Sequence, residues 1–182
     1  GNYHVGDVSY GNSWNGFAIE GGATGTTVYN CVAFDNSKTG GNSDFEVDAS
    51  STSGLTSSDN LFWDSNPGVS VVQFGGVRYS TVAAYRSATG KDARTLQADP
   101  KFANPAAGDF RPLAGSPLID NANSSVANWP ATDAAGNGRV DDPATANTGL
   151  GPVAYADRGA LEYLLPNQPP VASLVLTPSS GP

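Results

Sequence analysis

Glu20, Glu46 and Asp48 are the residues whose types and spacing could do chemistry. They belong to two copies of one phrase, residues 15–20 and 43–48. If the copies form neighbouring strands ~4.8 Å apart, Glu20 lies beside Asp48. Stacked carboxylates repel unless a cation lies between them or one is protonated. The pattern therefore predicts either a metal site at Glu20 and Asp48 or an acid/base pair, and a solvated acidic face is the plain alternative.

The same face offers residues for binding and cleaving a sugar chain. Glycoside hydrolysis by inversion uses two carboxyl groups ~6.5–9.5 Å apart, and Glu20 with Glu46 or Asp48 could meet that distance. Trp14 precedes the first phrase and could stack on a sugar ring or pack within its turn. We therefore take Trp14, Glu20, Glu46 and Asp48 as candidate substrate-binding residues.

Two repeated phrases indicate the elements that hold this face. The first returns at residues 68–73, and a second phrase occurs at 8–12, 32–36 and 61–65. Strand-like repeats of this length stack as units that cannot bury their apolar residues alone, which predicts a β-solenoid. The residues expected to point inward are Phe17, Ile19, Phe45, Val47, Val69 and Val71 on one strand and Val8, Tyr10, Val32, Phe34, Leu61 and Trp63 on another. The residues expected to point outward are Ala18, Glu20, Glu46, Asp48, Ser70 and Val72.

The remaining sequence divides into segments of different character. Terminal coils are expected over 1–120, with a short helix near 80–88 that Ser80 caps and Gly90 ends. Residues 121–165 are expected to form a C-terminal cap over the open end of the stack. Asn12 and Asn36 occupy equivalent turns and form either an amide ladder or ordinary turn contacts. Gly1 begins in mid-pattern, so further coils are expected upstream.

One loop in the expected cap, residues 133–142, carries oxygen donors among glycines, as calcium loops do. It lacks the dense acidic spacing of an EF-hand, so we favour a structural role. In that role Arg139 or Arg158 pairs with a carboxylate such as Asp133 or Asp157.

Composition restricts the class of protein. A formal net charge of −8 argues against nucleic acid and anionic membrane surfaces as partners. One histidine and one cysteine exclude a His/Cys zinc site, and Cys31 lies in an alternating apolar run that predicts a buried thiol. The sequence has no stretch of about 18 apolar residues, so it does not predict insertion into a membrane. Polar turns rich in glycine are typical of a secreted bacterial β-protein, which we expect to be monomeric.

Three stretches resemble known families. Residues 99–102, 108–111, 116–120 and 158–163 resemble the C-terminal end of secreted bacterial right-handed parallel β-helix proteins. Asn15-Gly16-Phe17, with residues 30–36, is similar to the catalytic coils of polysaccharide lyase family 9, the pectate-lyase-like enzymes. Residues 166–182 begin with a proline-rich linker and then resemble the first strand of a PKD-type module. The resemblance implies an all-β fold, a right-handed parallel β-helix fragment with an irregular C-terminal cap and one short helix.

The lyase resemblance also implies a chemistry. That family carries out β-elimination on uronic-acid polymers, with calcium held by aspartates and a lysine base at the residue after Asn-Gly-Phe. In this chain the base position falls on Ala18, which cannot accept a proton, and a lysine there would be held charged by Glu46. We therefore expect a polysaccharide lyase acting on acidic polysaccharide such as pectate with Ca²⁺, inactive as this fragment alone. The alternatives are a noncatalytic carbohydrate-binding or cell-surface β-helix and an inverting glycoside hydrolase.

Overall fold

The structure is a computed structural model that describes residues 1–37 and 41–165. The expected linker and module strand at 166–182 lie outside the described residues. Short strands dominate the described part, which confirms the all-β expectation. The strands are β1 (Tyr3–Val5), β2 (Val8–Tyr10), β3 (Phe17–Ile19), β4 (Thr27–Tyr29), β5 (Val32–Phe34), β6 (Ser43–Val47), β7 (Thr56–Ser58), β8 (Leu61–Trp63), β9 (Ser70–Phe74), β10 (Val77–Tyr79), β11 (Phe102–Asn104) and β12 (Asp109–Pro112). The helices are α1 (Val82–Thr89) and two 3₁₀ turns, Ala49–Ser51 and Pro105–Ala107.

Three parallel sheets hold the first nine strands, and each sheet takes every third strand in chain order. The first sheet is β1-β4-β7, the second is β2-β5-β8, and the third contains β3-β6-β9. Strand β10 extends the third sheet antiparallel to β9, and β11 pairs with β12. The chain thus visits the three sheets in the same order three times, so equivalent residues of each phrase become neighbours.

The third sheet confirms the expected column in two strands and corrects it in the third. Phe17 pairs with Phe45, as expected, but the next partner of Phe45 is Val72 rather than Val69. Strand β9 begins only at Ser70, because residues 64–69 form a longer turn than the repeat suggested. Val72 was expected on the outer face and is instead fully buried.

The second sheet has apolar residues on both faces. Its columns Val8-Val32-Leu61 and Tyr10-Phe34-Trp63 form as expected. They do not point into the main core, however, which takes Ala33 and Phe62 from the other face of the same strands. Val32, Phe34 and Leu61 pack instead against Phe102 and Leu118. Residues between 102 and 118, which were expected among the terminal coils, therefore cover the outer face of the second sheet.

Helix α1 lies against the last turns of the main core. Its residues Val82 and Tyr85 are buried there, with the Tyr85 ring next to Phe74. The N-cap is Thr81, whose hydroxyl accepts a hydrogen bond from the N–H of Ala84, and not Ser80. Gly90 ends the helix in the left-handed conformation, as expected. The helix thus covers apolar residues at the β9–β10 end of the third sheet.

The segment 121–165 is irregular and is fixed by two buried arginines. Arg158 donates to the carbonyl oxygens of Asn60 and Asn121 at 2.9 and 2.8 Å, and its guanidinium lies 3.8 Å from the carboxylate of Asp59. A buried arginine whose donors are satisfied by backbone carbonyls holds separate chain segments together. Arg158 therefore fastens this segment to the chain between β7 and β8, in the third passage through the three sheets.

The second arginine corrects the expected ion pairs. Arg139 pairs with Glu162 at 2.5 Å, and Arg158 faces Asp59, so among the described residues the partners of both arginines are carboxylates other than Asp133 and Asp157. Asp133 accepts hydrogen bonds within its own loop, which supports the structural interpretation of residues 133–142.

Candidate functional site

A straight polar row crosses the outer face of the third sheet. Ala18, Glu46, Gln73 and Arg78 are register partners on β3, β6, β9 and β10. Side chains alternate between the two faces of a strand, and Phe45 and Val47 flank Glu46 with their side chains in the core. The row therefore faces away from the core, as expected for Ala18 and Glu46. We call these four residues the polar row.

Hydrogen bonds connect three members of the polar row. The Gln73 amide donates to Glu46 Oε1 at 2.5 Å, and its oxygen accepts from Arg78 Nε at 2.8 Å. The Asn15 amide donates to the other oxygen of Glu46, and Arg78 Nη2 donates to the carbonyl of Gly41. Gln73 thus bridges a cation and a carboxylate that lie two strands apart.

The environment of Glu46 favours its protonated form. Partial burial is the main cause that raises the pKa of Glu46, and the negative charge of Glu20 adds to it. The hydrogen bond from Asn15 and the charge of Arg78 act in the opposite direction. Glu46 is therefore a better proton acceptor than an ordinary surface glutamate.

Glu20 and Asp48 lie at the edge of the polar row. Each directly follows a paired residue, Ile19 or Val47, and Glu20 is exposed. Both oxygens of Asp48 accept hydrogen bonds: Oδ1 from the Ser50 hydroxyl in its own turn at 2.8 Å, and Oδ2 from the N–H of Gly21, in the turn after β3, at 3.0 Å. Hydrogen bonds from the hydroxyls of Ser51 and Ser50 lower its pKa. Asp48 thus links its own turn to the turn that follows β3.

The described residues contain no group of three or more His, Cys, Asp or Glu side chains that could hold a metal ion. The calcium site at Glu20 and Asp48 stays a prediction, and two carboxylates alone leave most positions of a calcium shell to water or substrate.

Asn15 contacts the polar row at Glu46, and Trp14 precedes it in the chain. The Trp14 side chain is 72% exposed, so it is open to a ligand. Asn15 is fixed by accepting a 2.8 Å hydrogen bond from the N–H of Ser43 and by donating to Glu46. The family's base position, Ala18, is exposed and has only a methyl group to present. The face can bind through aromatic, amide and guanidinium groups, and Glu46 is its proton acceptor.

A second acidic pair was missed by the sequence reasoning. Asp35 follows Phe34, and Asp64 follows Trp63. Both aspartates line a cavity of ≈ 270 Å³ together with Tyr10. Burial, together with the charge of Asp35, raises the pKa of Asp64. The signal was in the repeat, since two of the three copies of the second phrase place an aspartate directly after an aromatic residue.

A chain of amide hydrogen bonds runs from exposed Asn12 through Asn36, which lines this cavity, to a buried carboxyl group. Asn12 Nδ2 donates to Asn36 Oδ1 at 2.9 Å, and Asn36 Nδ2 donates to Asp44 Oδ1 at 3.0 Å. The expected ladder between Asn12 and Asn36 is therefore confirmed, and Asp44 extends it. Asp44 is fully buried, and burial raises its pKa to about 8. Its carboxyl group is accordingly protonated at neutral pH.

In the part of the chain that the structure describes, no helix is long and apolar enough to cross a bilayer. Comparison with known protein families, with curated proteins and with solved structures gives no match. The polar row, the exposed Trp14 and the sequence resemblance are thus what bears on the function.

Proposed function

We propose that the chain is a right-handed parallel β-helix of the polysaccharide lyase family 9 type. The order of its sheets supports this, since each strand pairs in parallel with the equivalent strand of the next turn. Parallel strands joined by crossover connections are almost always right-handed. A stack of this kind gives a long polar wall on which a linear polymer can lie.

The function that we propose is binding of a uronic-acid polysaccharide along the polar row. The observation that carries it is the register of Ala18, Glu46, Gln73 and Arg78 across four strands. Arg78 supplies a cation that matches a uronate carboxylate, and Gln73 fixes its Nε. Trp14 supplies an exposed ring for stacking on a sugar.

The polar row favours binding over β-elimination by this chain alone. Elimination needs a base beside the carbon next to the carboxylate, and Ala18 provides none. Glu46 has a raised pKa, yet both of its oxygens accept hydrogen bonds from Asn15 and Gln73. These contacts reduce its availability as a base, so the row holds the polymer without cleaving it.

The test is electrophoresis of the 182-residue chain through gels with and without polygalacturonate, together with ultraviolet absorbance of unsaturated products, with and without Ca²⁺. We expect retardation by polygalacturonate and no unsaturated product. Retardation that requires Ca²⁺ would support a metal bridge at Glu20 and Asp48. Unsaturated product that disappears in Glu46→Gln would instead make the chain a lyase with Glu46 as base, and saturated reducing ends would make it a hydrolase.

A matched pair of variants separates the polar row from general charge. Arg78→Ala removes the cation of the row, and we expect affinity for polygalacturonate to fall about fivefold, the effect of one exposed charge contact. Arg111→Ala is the control, because Arg111 is also exposed, changes the net charge equally and pairs with Asp109 outside the three parallel sheets. Equal affinity in both variants would overturn the proposed site.

A further inference from the structure

A groove of ≈ 370 Å³ runs between the first sheet and the segment 123–127. Its floor is the face of β4 that carries Thr27 and Tyr29, which flank the fully buried Val28. Thr27 pairs with Tyr3 on one neighbouring strand and with Thr56 on the other. The groove thus lies on a different sheet from the polar row.

The wall of this groove is fixed to the stack. Asn123 donates its N–H to Asn30 Oδ1 at 2.8 Å, and Asn30 Nδ2 donates to the Asn123 carbonyl at 3.0 Å. The Asn123 side chain also donates to Asp59 Oδ2 at 3.2 Å. Because Asn30 is fully buried, this reciprocal pair sets the distance between wall and floor. The groove is therefore formed before any ligand arrives, which lowers the cost of binding.

The surface of the groove combines aromatic rings with hydroxyl groups. Tyr3 is 54% exposed and Tyr29 is half-buried, and the hydroxyls of Thr27 and Thr56 lie 3.1 Å apart. No charged side chain is among the described residues that line the groove. Burial, and then the charges of Asp59 and Asp92 behind the sheet, raise the pKa of Tyr29, so its phenol stays protonated and can donate.

We propose that this groove binds a neutral oligosaccharide, with a sugar ring stacked on Tyr3 and Tyr29 and its hydroxyls hydrogen-bonded to Thr27 and Thr56. A sugar ring has an apolar C–H face and a hydroxyl-bearing edge, which match the two kinds of surface. An acidic sugar would find no cation here to replace its hydration. The groove is a second glycan site with a preference opposite to that of the polar row.

The experiment is calorimetric titration of the 182-residue chain with two neutral probes, cellotetraose and β-1,4-galactotetraose, and with tetragalacturonate. We expect saturable binding of at least one neutral probe. Tyr3→Ala should weaken it about fivefold, the equivalent of roughly one aromatic contact. Ala127→Trp fills the groove from its exposed wall and should abolish it. Leu113→Ala, which removes an exposed apolar side chain that does not line the groove, is the control and should bind the neutral probe as the wild type does.

The inference is overturned if neither neutral probe binds, or if Tyr3→Ala and Ala127→Trp both bind the neutral probe with wild-type affinity. Circular dichroism and the thermal midpoint of each variant establish that it is folded. Failure of tetragalacturonate to bind concerns only the polar row, so the two proposals fail separately.

Discussion

Ala18 and Glu46 stand opposite each other on the parallel strands β3 and β6. Position 18, where the sequence resemblance would place a lysine base, is thus next to a carboxylate whose pKa is raised. An ammonium group at position 18 would be stabilised in its charged form by that carboxylate. A lysine introduced at position 18 would therefore pair with Glu46 rather than act as a neutral base.

We predict that Ala18→Lys forms a cross-strand ion pair and does not create a lyase. The lysine should lower the pKa of Glu46 below that of the wild type and stabilise the fold by about 0.2–1 kcal/mol, the range for such pairs. The measurement is the pH titration of the Glu46 carboxyl carbon by NMR, with Ala18→Met as the uncharged control. An unchanged Glu46 pKa in the lysine variant contradicts the pairing, and unsaturated product from polygalacturonate contradicts the second half of the prediction.

Stability should fall as the pH rises, because of Asp44. Its carboxyl group keeps its proton to about pH 8 in the folded chain, whereas it ionises near pH 4 when unfolded. Between these values the native state binds a proton that the unfolded state has lost. The free energy of unfolding therefore decreases from about pH 4 to about pH 8, and this contribution is fully lost above pH 8. Asp157, whose pKa burial also raises to about 8, acts in the same direction.

Asp44→Asn should remove the part of the pH dependence of stability that comes from Asp44. We expect the free energy of unfolding of the variant, relative to that of the wild type, to increase by a few kcal/mol between pH 5 and pH 9. The measurement is urea unfolding at each pH. The amide of the variant keeps an oxygen that can accept from Asn36, as Asp44 Oδ1 does. The control is Asp99→Asn, an exposed carboxylate that accepts a turn hydrogen bond from the N–H of Lys101. Parallel pH profiles of the Asp44 variant and the wild type would contradict the assignment.

The Cys31 thiol should be inert in the folded chain. It is fully buried, as the sequence predicted, and burial raises its pKa to about 12. The thiolate that reacts with disulfide reagents is therefore scarce and inaccessible at pH 8. We expect no colour from Ellman's reagent with native protein and one equivalent in guanidinium chloride. Rapid reaction of the native protein would mean that this part of the core opens.

The pairing of β2 with β5 and of β3 with β6 could be predicted from the sequence, because the repeated phrases in these strands align residue for residue. The sequence did not show which way the second sheet faces. Val32-Ala33-Phe34 and Leu61-Phe62-Trp63 are apolar at every position, so period-2 alternation carries no signal when both faces are buried. Only the packing of Phe102 against this sheet distinguishes its two faces.

The polar row was half predictable for a related reason. Ala18 and Glu46 follow from the repeat, but Gln73 and Arg78 depend on the register of β9 and on the antiparallel strand β10. Arg78 lies outside every repeated phrase. Its place in the row is set by the turn between Phe74 and Val77, which contains two glycines with positive φ.

The corrected register of β9 gives the last prediction. In the run Val69-Ser70-Val71-Val72 a valine lies on the inner face whether the odd-numbered or the even-numbered residues point inward. The sequence alone therefore supports both alignments. The structure buries Val72 fully beside Phe45 and leaves Val69 half-buried at the cavity near Asp64. Valine to threonine replaces a methyl group with a hydroxyl at nearly the same volume. A hydroxyl that is buried without a hydrogen-bond partner lowers the free energy of unfolding by about 1–3 kcal/mol.

We therefore expect Val72→Thr to lower the free energy of urea unfolding by about 1–3 kcal/mol and Val69→Thr to change it by less than about 0.5 kcal/mol. The two variants are matched in chemistry and differ only in position, so each is the control of the other. The opposite order would restore the alignment in which Val69 follows Phe45. It would then also move Gln73 out of line with Glu46, because a three-residue shift on a strand changes the face that each side chain occupies.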